Sequence, residues 1–193
     1  MHEPSDPEKV AYWFFRLNGC FTVTNLIVHP PRRGSQESDA DILAVRFPHH
    51  RELGRSSRAL QDHALLTGHS KIDLILAEVK RSHCELNRAW LRGDSKVLEY
   101  FLECIGAFNQ GEMLEVANKL RHLGRYQNEY FRVRLFSIGS AKDSRLAAEQ
   151  LDWTELLGFI HERFFRERRK SQHDQWDLST VPGHNFARNV GGL

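Results

Sequence analysis

The stretch Lys71-Ile72-Asp73-Leu74-Ile75-Leu76-Ala77-Glu78-Val79-Lys80 decides the fold, because it is an apolar run that ends in a carboxylate and an amine. Successive side chains of a β-strand point to opposite faces, so Glu78 and Lys80 share one face. Apolar residues occupy both faces: Ile72, Leu74 and Leu76 lie with the two charged groups, and Ile75, Ala77 and Val79 lie opposite. A strand that is apolar on both faces is buried between layers, where charge is costly unless it is paired or used. The stretch therefore predicts a core strand that brings two charged groups to one edge of a sheet.

The rest of the chain predicts a small sheet with helices around it. Helical spacing of apolar residues predicts helices over 8–17, 94–109, 112–123 and 153–172. Runs rich in β-branched residues, or with alternating patterns, predict strands over 20–29, 39–47, 71–80 and 130–138. Residues 49–70 are interpreted as an insertion with a short helix around 57–66. The first three strands can form an antiparallel meander, and helices precede the fourth, which indicates a mixed α/β layer fold.

Composition sets limits on the class of protein. A chain of 193 residues is long enough for one domain, over 1–193, that buries most of its unfolded surface. We find no apolar run long enough to span a bilayer and no secretory signal, so no membrane partner is expected. The cysteines Cys20, Cys84 and Cys104 are widely spaced and odd in number, which indicates reduced thiols in a cytoplasmic protein. A net charge of +2 permits a nucleic-acid partner without requiring one.

Two carboxylates and a lysine are expected to meet at one edge of the sheet. Asp41 opens the second strand, while Glu78 and Lys80 close the third. If these strands are antiparallel neighbours, the start of one lies beside the end of the other. Paired carboxylates suit a hard cation such as Mg²⁺, which shares phosphate oxygens and can activate water. A neighbouring lysine can orient the water or stabilise the charge that develops on phosphorus.

These residues carry a resemblance to a known family. Asp41, followed 37 residues later by Glu78-Val79-Lys80, resembles the motif of the PD-(D/E)XK nuclease superfamily, which has a restriction-endonuclease-like fold. The resemblance implies an αβββαβ core over about 7–138, with a small mixed sheet flanked by helices. The chain adds a C-terminal helical extension over about 150–193 to that core. The resemblance also implies that Asp41, Glu78 and the Val79 carbonyl bind Mg²⁺ or Mn²⁺, and that Lys80 is catalytic. Glu8, on the first helix, matches an additional glutamate of many members.

Each of these residues also has a simpler interpretation. Glu78 and Lys80 can form a structural ion pair, and Glu8 is a residue type that any first helical turn favours. Phosphate contacts are assigned to Arg32 and Arg33, in the turn before the second strand, and to Arg81. The basic cluster over 163–170 could grip phosphates or could be a solvated helix end. The eleven histidines form no compact zinc motif, and His83 is the one candidate accessory to Lys80.

The sequence thus predicts a Mg²⁺-dependent nuclease that hydrolyses phosphodiester bonds, with DNA favoured over RNA. DNA repair, restriction and anti-phage defence are the contexts in which such an enzyme would act. The alternatives are a catalytically silent module of the same fold that binds nucleic acid or assembles a complex, and a subunit that a partner activates. A homodimer or a protein partner is left open.

Overall fold

The computed structural model describes residues 7–28, 38–51 and 61–166. The helices are α1 (Pro7–Leu17), α2 (Arg88–Leu91), α3 (Val97–Ile105), α4 (Gln110–Leu123) and α5 (Trp153–Arg166). The strands are β1 (Phe21–Val28), β2 (Ser38–Arg46), β3 (Ile72–Val79), β4 (Arg125–Gln127), β5 (Phe131–Gly139) and β6 (Glu149–Asp152). A single 3₁₀ turn spans Ala64–Leu66. Within the described ranges, none of the helices combines the length and the apolar character needed to cross a membrane.

The strands form one mixed sheet of six strands. β1, β2 and β3 are antiparallel neighbours, and β5 lies parallel to β3 on its other side. The far edge of β5 pairs first with β4, antiparallel, and then with β6, parallel. The expected order of helix, three-stranded meander, helices and returning strand is confirmed. The sheet has two more strands than we predicted, since β4 and β6 are short and carry no run of β-branched residues.

Helices cover both faces of the sheet, and β3 supplies apolar side chains to both. One layer packs α1 and α5 on the sheet; its largest members include Phe14, Phe15, Ile42, Ile75, Phe136, Leu156 and Ile160. The other packs α2, α3 and α4 on the opposite face; its largest members include Leu74, Leu76, Trp90, Phe101, Leu102, Leu120 and Leu135. Ile75 and Leu76 are both fully buried, on opposite sides, which confirms the alternation predicted for this strand. Burial of one such side chain contributes roughly 1.5–3 kcal/mol, so β3 anchors both layers.

Helix α4 begins two residues before the predicted start and ends at the predicted residue, and the residues at its two ends explain both boundaries. Asn109 accepts from the backbone of Glu112, whose side chain in turn accepts from the backbone of Asn109, which satisfies two free donors at the helix start. Gly124 ends the helix with φ 66°, a conformation that favours glycine. A Cβ at Gly124 would also lie 1.9 Å from the carbonyl oxygen of Ala147. Both constraints require glycine where the chain turns from α4 into β4.

Several predicted boundaries differ from the structure. The helix expected over 94–109 spans Val97–Ile105, because Ser95 accepts at its start and Gly106 ends it with φ 68°. Of the short helix expected around 57–66, the described part holds only the 3₁₀ turn. The last helix is described as far as Arg166, and the predicted remainder to 172 lies outside the described residues. The four-residue α2 was not predicted, since it is too short for an amphipathic period.

Candidate active site at the end of β3

The start of β2 lies beside the end of β3, as the metal-site hypothesis requires. The antiparallel register pairs Val45 with Leu74 and runs as far as Ile42 with Ala77. One residue further along β2, at Asp41, a side-chain hydrogen bond replaces the backbone pairing. The Asp41 carboxylate accepts a hydrogen bond from the backbone N–H of Val79, with Oδ2 2.6 Å from the nitrogen. The predicted antiparallel neighbours are therefore confirmed, and Asp41 is fixed next to the Glu78-Val79-Lys80 segment.

A local distortion of the β1–β2 pair lies at the same point. Asn25 has φ 53°, unusual for a residue other than glycine, and it falls between the pairs Thr24–Ile42 and Leu26–Ala40. It is thus opposite Asp41. Ala40 and Ile42 face different apolar layers although they are two residues apart, so β2 changes face around Asp41. Asparagine tolerates this left-handed conformation better than most residues, which explains its presence at the distortion.

Glu78 and Lys80 form a close pair on one face of the strand end. The Lys80 ammonium nitrogen lies 2.5 Å from Oε1 of Glu78. The side chain of Glu78 is 4% exposed, whereas that of Lys80 is 32% exposed, so the pair has one buried and one accessible member. The backbone of Lys80 is also held: its N–H donates to Ile138, and its carbonyl accepts from the Trp153 indole. The end of β3 is therefore anchored to both β5 and α5.

Burial and charge shift the pKa values of this pair upward. Burial, with smaller contributions from the charges of Asp41 and Asp39, raises the pKa of Glu78 from 4.5 to about 7, against the opposing effect of Lys80. Burial disfavours the Lys80 ammonium. The hydrogen bond to Glu78 and the charges of Glu78, Asp41 and Glu85 outweigh that effect, so the pKa of Lys80 is raised. Lys80 stays protonated at neutral pH, while Glu78 is close to its titration point.

The donor set at this edge fits a hard divalent cation. Asp41 and Glu78 supply carboxylate oxygens, and burial, followed by the charges of Asp41 and Asp39, disfavours the ionised form of Glu78 that a cation would stabilise. In the part of the chain that the structure describes, no three His, Cys, Asp or Glu side chains are grouped as metal ligands. Mg²⁺ usually keeps several waters and binds through one or two carboxylates, so a pair is sufficient for it. The site could therefore hold Mg²⁺ or Mn²⁺ with water completing the coordination.

The other predicted site residues are Glu8, Arg81, His83, Arg32 and Arg33. Glu8 is half-buried in the first turn of α1. Arg81 is exposed, two residues after the end of β3 and next to Lys80 in the sequence. His83 is exposed and lies 3.6 Å from Glu85, so its contact is with a carboxylate and not with Lys80. Arg32 and Arg33 lie outside the described residues.

The basic cluster of the last helix requires a correction at its first residue. Arg163 is neither solvated nor available to phosphate, since its side chain is 3% exposed. Its guanidinium donates to the carbonyls of Leu17 and Gln61 and lies 3.4 Å from Asp62. Arg163 therefore holds the end of α1 and the segment before β3 together. The side chains of the later members, over 166–170, lie outside the described residues.

A buried charge cluster at the other end of β3 was missed. Asp73 is fully buried and receives paired hydrogen bonds from both Arg132 and Arg134, at 2.5 to 3.1 Å. The two guanidinium groups outweigh burial and keep the pKa of Asp73 below its usual value. The sequence held a signal, because Asp73 interrupts an otherwise apolar run. Its partners could not be identified without the parallel pairing of β3 with β5, which sets Asp73 opposite Arg132.

Comparison with known proteins gives no relative for the chain. No protein-family model matches it, and neither a curated protein nor a solved structure matches it.

Proposed function

We propose that the chain is a metal-dependent nuclease of the PD-(D/E)XK type, with Asp41, Glu78 and Lys80 as its catalytic residues. The observation that carries the proposal is the convergence of these three side chains at one sheet edge. Asp41 contacts the backbone of Val79, and Lys80 contacts Glu78. The topology supports it as well, since an antiparallel β1–β2–β3 meander with a parallel β5 is the arrangement expected of a restriction-endonuclease-like core.

Asp41 and Glu78 would hold Mg²⁺ or Mn²⁺, together with the Val79 carbonyl that the family resemblance assigns. When bound, such an ion polarises a phosphodiester and lowers the pKa of bound water. The raised pKa of Glu78 means that a cation must displace a proton from this carboxyl group near neutral pH. Cation binding, and the activity that depends on it, should therefore strengthen as the pH rises through about 7.

Lys80 contributes a permanent positive charge in this proposal. Its raised pKa makes it a poor general base at neutral pH, so it acts as a donor to a phosphate oxygen or to the attacking water. Its side chain is 32% exposed, so Lys80 would be accessible to a substrate phosphate beside a cation held by Asp41 and Glu78. Nucleic acid is the substrate class, and DNA is favoured over RNA by the resemblance alone.

The second candidate is a nuclease-fold module without turnover. The observation that favours it is the ion pair between Glu78 and Lys80. Glu78 is nearly buried, and the Lys80 ammonium lies 2.5 Å from its carboxylate, as in an ion pair with a structural role only. In that case the chain binds nucleic acid or a protein partner without cleaving a bond. A cytoplasmic location remains part of the proposal, because three separated cysteines suit a reducing compartment.

One cleavage experiment separates the two candidates. Purified protein is incubated with supercoiled plasmid and with linear DNA, in Mg²⁺ or Mn²⁺, beside Lys80→Ala, Asp41→Asn and the surface variant Arg92→Gln. Arg92 is exposed and pairs only with Asp94 among the described residues, so it reports general effects of losing one charge. The nuclease proposal requires cleavage by the native protein and by Arg92→Gln, with loss in the other two. Equal activity in all four proteins would rule out this site.

A further inference from the structure

A second charged site lies at the opposite end of the sheet from Glu78. A cavity of about 440 Å³ opens between α4, β4 and β5. Four cations, Lys119, Arg125, Arg132 and Arg134, line its walls with a single carboxylate, Glu149. Along β3, Asp73 marks this end and Glu78 the other; five residues of strand separate them by about 17 Å. The cavity is therefore distinct from the proposed nuclease site.

The pairing of β4 with β5 concentrates positive charge here. Arg125 lies directly opposite Arg134 in the antiparallel ladder, and Gln127 lies opposite Arg132. Residues opposite each other share a face, and like charges in such pairs destabilise a sheet unless they are compensated. Part of this charge is compensated. Asp73 pairs with both Arg132 and Arg134, Glu149 adds to Arg134, whose side chain is 3% exposed, and Glu115 pairs with Lys119. No carboxylate of the described residues pairs with Arg125, which leaves it available to an anion.

The guanidinium group of Arg132 is oriented by its hydrogen bonds before any ligand binds. Arg132 donates to Asp73 through Nε and Nη2, so its plane is fixed while Nη1 has no hydrogen-bond partner in the described chain. Its side chain is 21% exposed, in contrast to Arg134. A guanidinium oriented in advance loses little freedom on binding and matches the geometry of phosphate oxygens. Arg132 and Arg125 therefore form the accessible basic wall of the cavity.

Leu123 and Tyr126 supply the apolar part of the lining, around the edge of β4 from Arg125. Leu123 is 62% exposed, and the Tyr126 ring packs beneath Lys119, whose ammonium lies 5.2 Å from the ring centre. A ligand that carries a phosphate beside a flat apolar group would satisfy both parts of the lining. The volume is within the usual range of small-ligand sites. We propose that this cavity binds a nucleotide phosphate, with Arg125 and Arg132 on the phosphate and Leu123 and Tyr126 beside the base or sugar.

The phosphate can belong to a free nucleotide or to a single strand of nucleic acid, and two probes distinguish these sources. Binding of AMP is measured by calorimetry, and binding of a fluorescein-labelled 12-nucleotide DNA by anisotropy. Both use the full chain in EDTA. The measurements require neither metal nor cleavage, so failure of the nuclease proposal would leave this result intact, and the reverse holds as well.

The variants are Arg125→Gln and Lys119→Gln, with Arg92→Gln, on the α2–α3 loop and outside the cavity lining, as the matched control. For the oligonucleotide, Arg125→Gln should raise Kd roughly threefold to tenfold and reduce the slope of log Kd against log salt concentration by about 0.7, the value for one phosphate contact to a single strand. Arg125 is exposed, so the variant should fold, and Lys119→Gln repeats the test on the neighbouring helix. Weakened binding of both probes identifies a free-nucleotide site, and weakened binding of the oligonucleotide alone identifies a strand site. Unchanged Kd in both variants, or an equal loss in Arg92→Gln, would overturn the proposal.

Discussion

Asp41 Oδ2 lies 2.6 Å from the backbone nitrogen of Val79, although 38 residues separate the two in sequence. The contact sets a carboxylate where the next carbonyl of the β2–β3 ladder would otherwise accept. It satisfies the Val79 N–H and at the same time holds Asp41 close enough for its charge to raise the pKa of Glu78. One residue thus has a structural and an electrostatic role, and substitutions can separate the two.

Asp41→Ala and Asp41→Asn should differ in stability but not in cleavage. Alanine removes the acceptor and leaves the Val79 N–H unpaired, at a cost of about 1–3 kcal/mol in the free energy of unfolding. Asparagine keeps an oxygen that can accept, so its cost is expected to be smaller. Both variants remove the charge of the proposed metal ligand, so the proposed function predicts that both lose cleavage. Urea unfolding of the two proteins measures the difference, and equal stability would mean that the Asp41–Val79 hydrogen bond contributes nothing.

Glu78 should titrate at about 7 in the native protein. Asp41→Asn removes a neighbouring negative charge and should lower this pKa, whereas Lys80→Met removes the stabilising cation and should raise it. Carboxyl ¹³C shifts of labelled glutamate report the titration directly. Shifts in the same direction for both variants would contradict the assigned causes.

The same pKa predicts how stability depends on pH. The folded-state pKa of Glu78 is raised above its ordinary value of 4.5, so its contribution to stability is fully present below about 4.5 and is lost as pH rises through about 7. At roughly 1.4 kcal/mol per pKa unit, the loss amounts to a few kcal/mol. Between pH 5 and pH 8, the unfolding free energy of the native protein should therefore decrease relative to that of Glu78→Gln. Parallel pH profiles would show that Glu78 is not perturbed.

Asp73→Asn should be among the most damaging single substitutions in the described chain. It leaves Arg132 and Arg134 without their shared carboxylate, and loss of one partner of a buried ion pair costs about 3–5 kcal/mol. The matched control is Glu115→Gln, which breaks an exposed pair with Lys119 on α4. Thermal unfolding should show a large decrease in Tm for the first variant and little change for the second. Comparable Tm values would indicate that Asp73 does not form the ion pairs with Arg132 and Arg134 that the structure has.

Gly139 and Gly158 provide a second matched pair. A Cβ at Gly139 would lie 2.6 Å from backbone atoms of His83 and Cys84, so alanine must displace the segment that follows Lys80. We expect Gly139→Ala to destabilise the fold by about 1–3 kcal/mol and to reduce cleavage as well. Gly158 in α5 has no atoms within 4 Å of such a Cβ, and alanine there should stabilise the helix by roughly 0.5–1 kcal/mol. Equal effects in urea unfolding would contradict the close approach at Gly139.

The sequence predicts the elements that carry a strong period, and it predicts the edge where the candidate site lies. The alternation of Leu74, Ile75 and Leu76 requires a strand covered on both faces, and chain direction then brings Asp41 to the end of β3. The short elements β4 and β6 lack such a period. They pair with β5 because the turn at Gly124 and the 140–148 segment return the chain to its edge.

The partners of the buried charged residues cannot be predicted from sequence periodicity. Asp73 with Arg132, and Arg163 with Leu17, join residues 59 and 146 positions apart. Such pairs depend on which strands are neighbours and on where a helix ends against another, and neither follows from local pattern. The basic cavity has the same origin, since Arg125 and Arg134 become neighbours only through the β4–β5 ladder.

The most direct test of the central claim is a calorimetric titration with Mn²⁺ at pH 8, above the pKa of Glu78. If Asp41 and Glu78 form one cation site, the native protein binds one ion per chain at this site, and Asp41→Asn and Glu78→Gln each abolish it. The control Asp143→Asn, which breaks a pair with the exposed Arg145, retains it. Binding that persists unchanged in Asp41→Asn would contradict a shared site and, with it, the proposed nuclease chemistry.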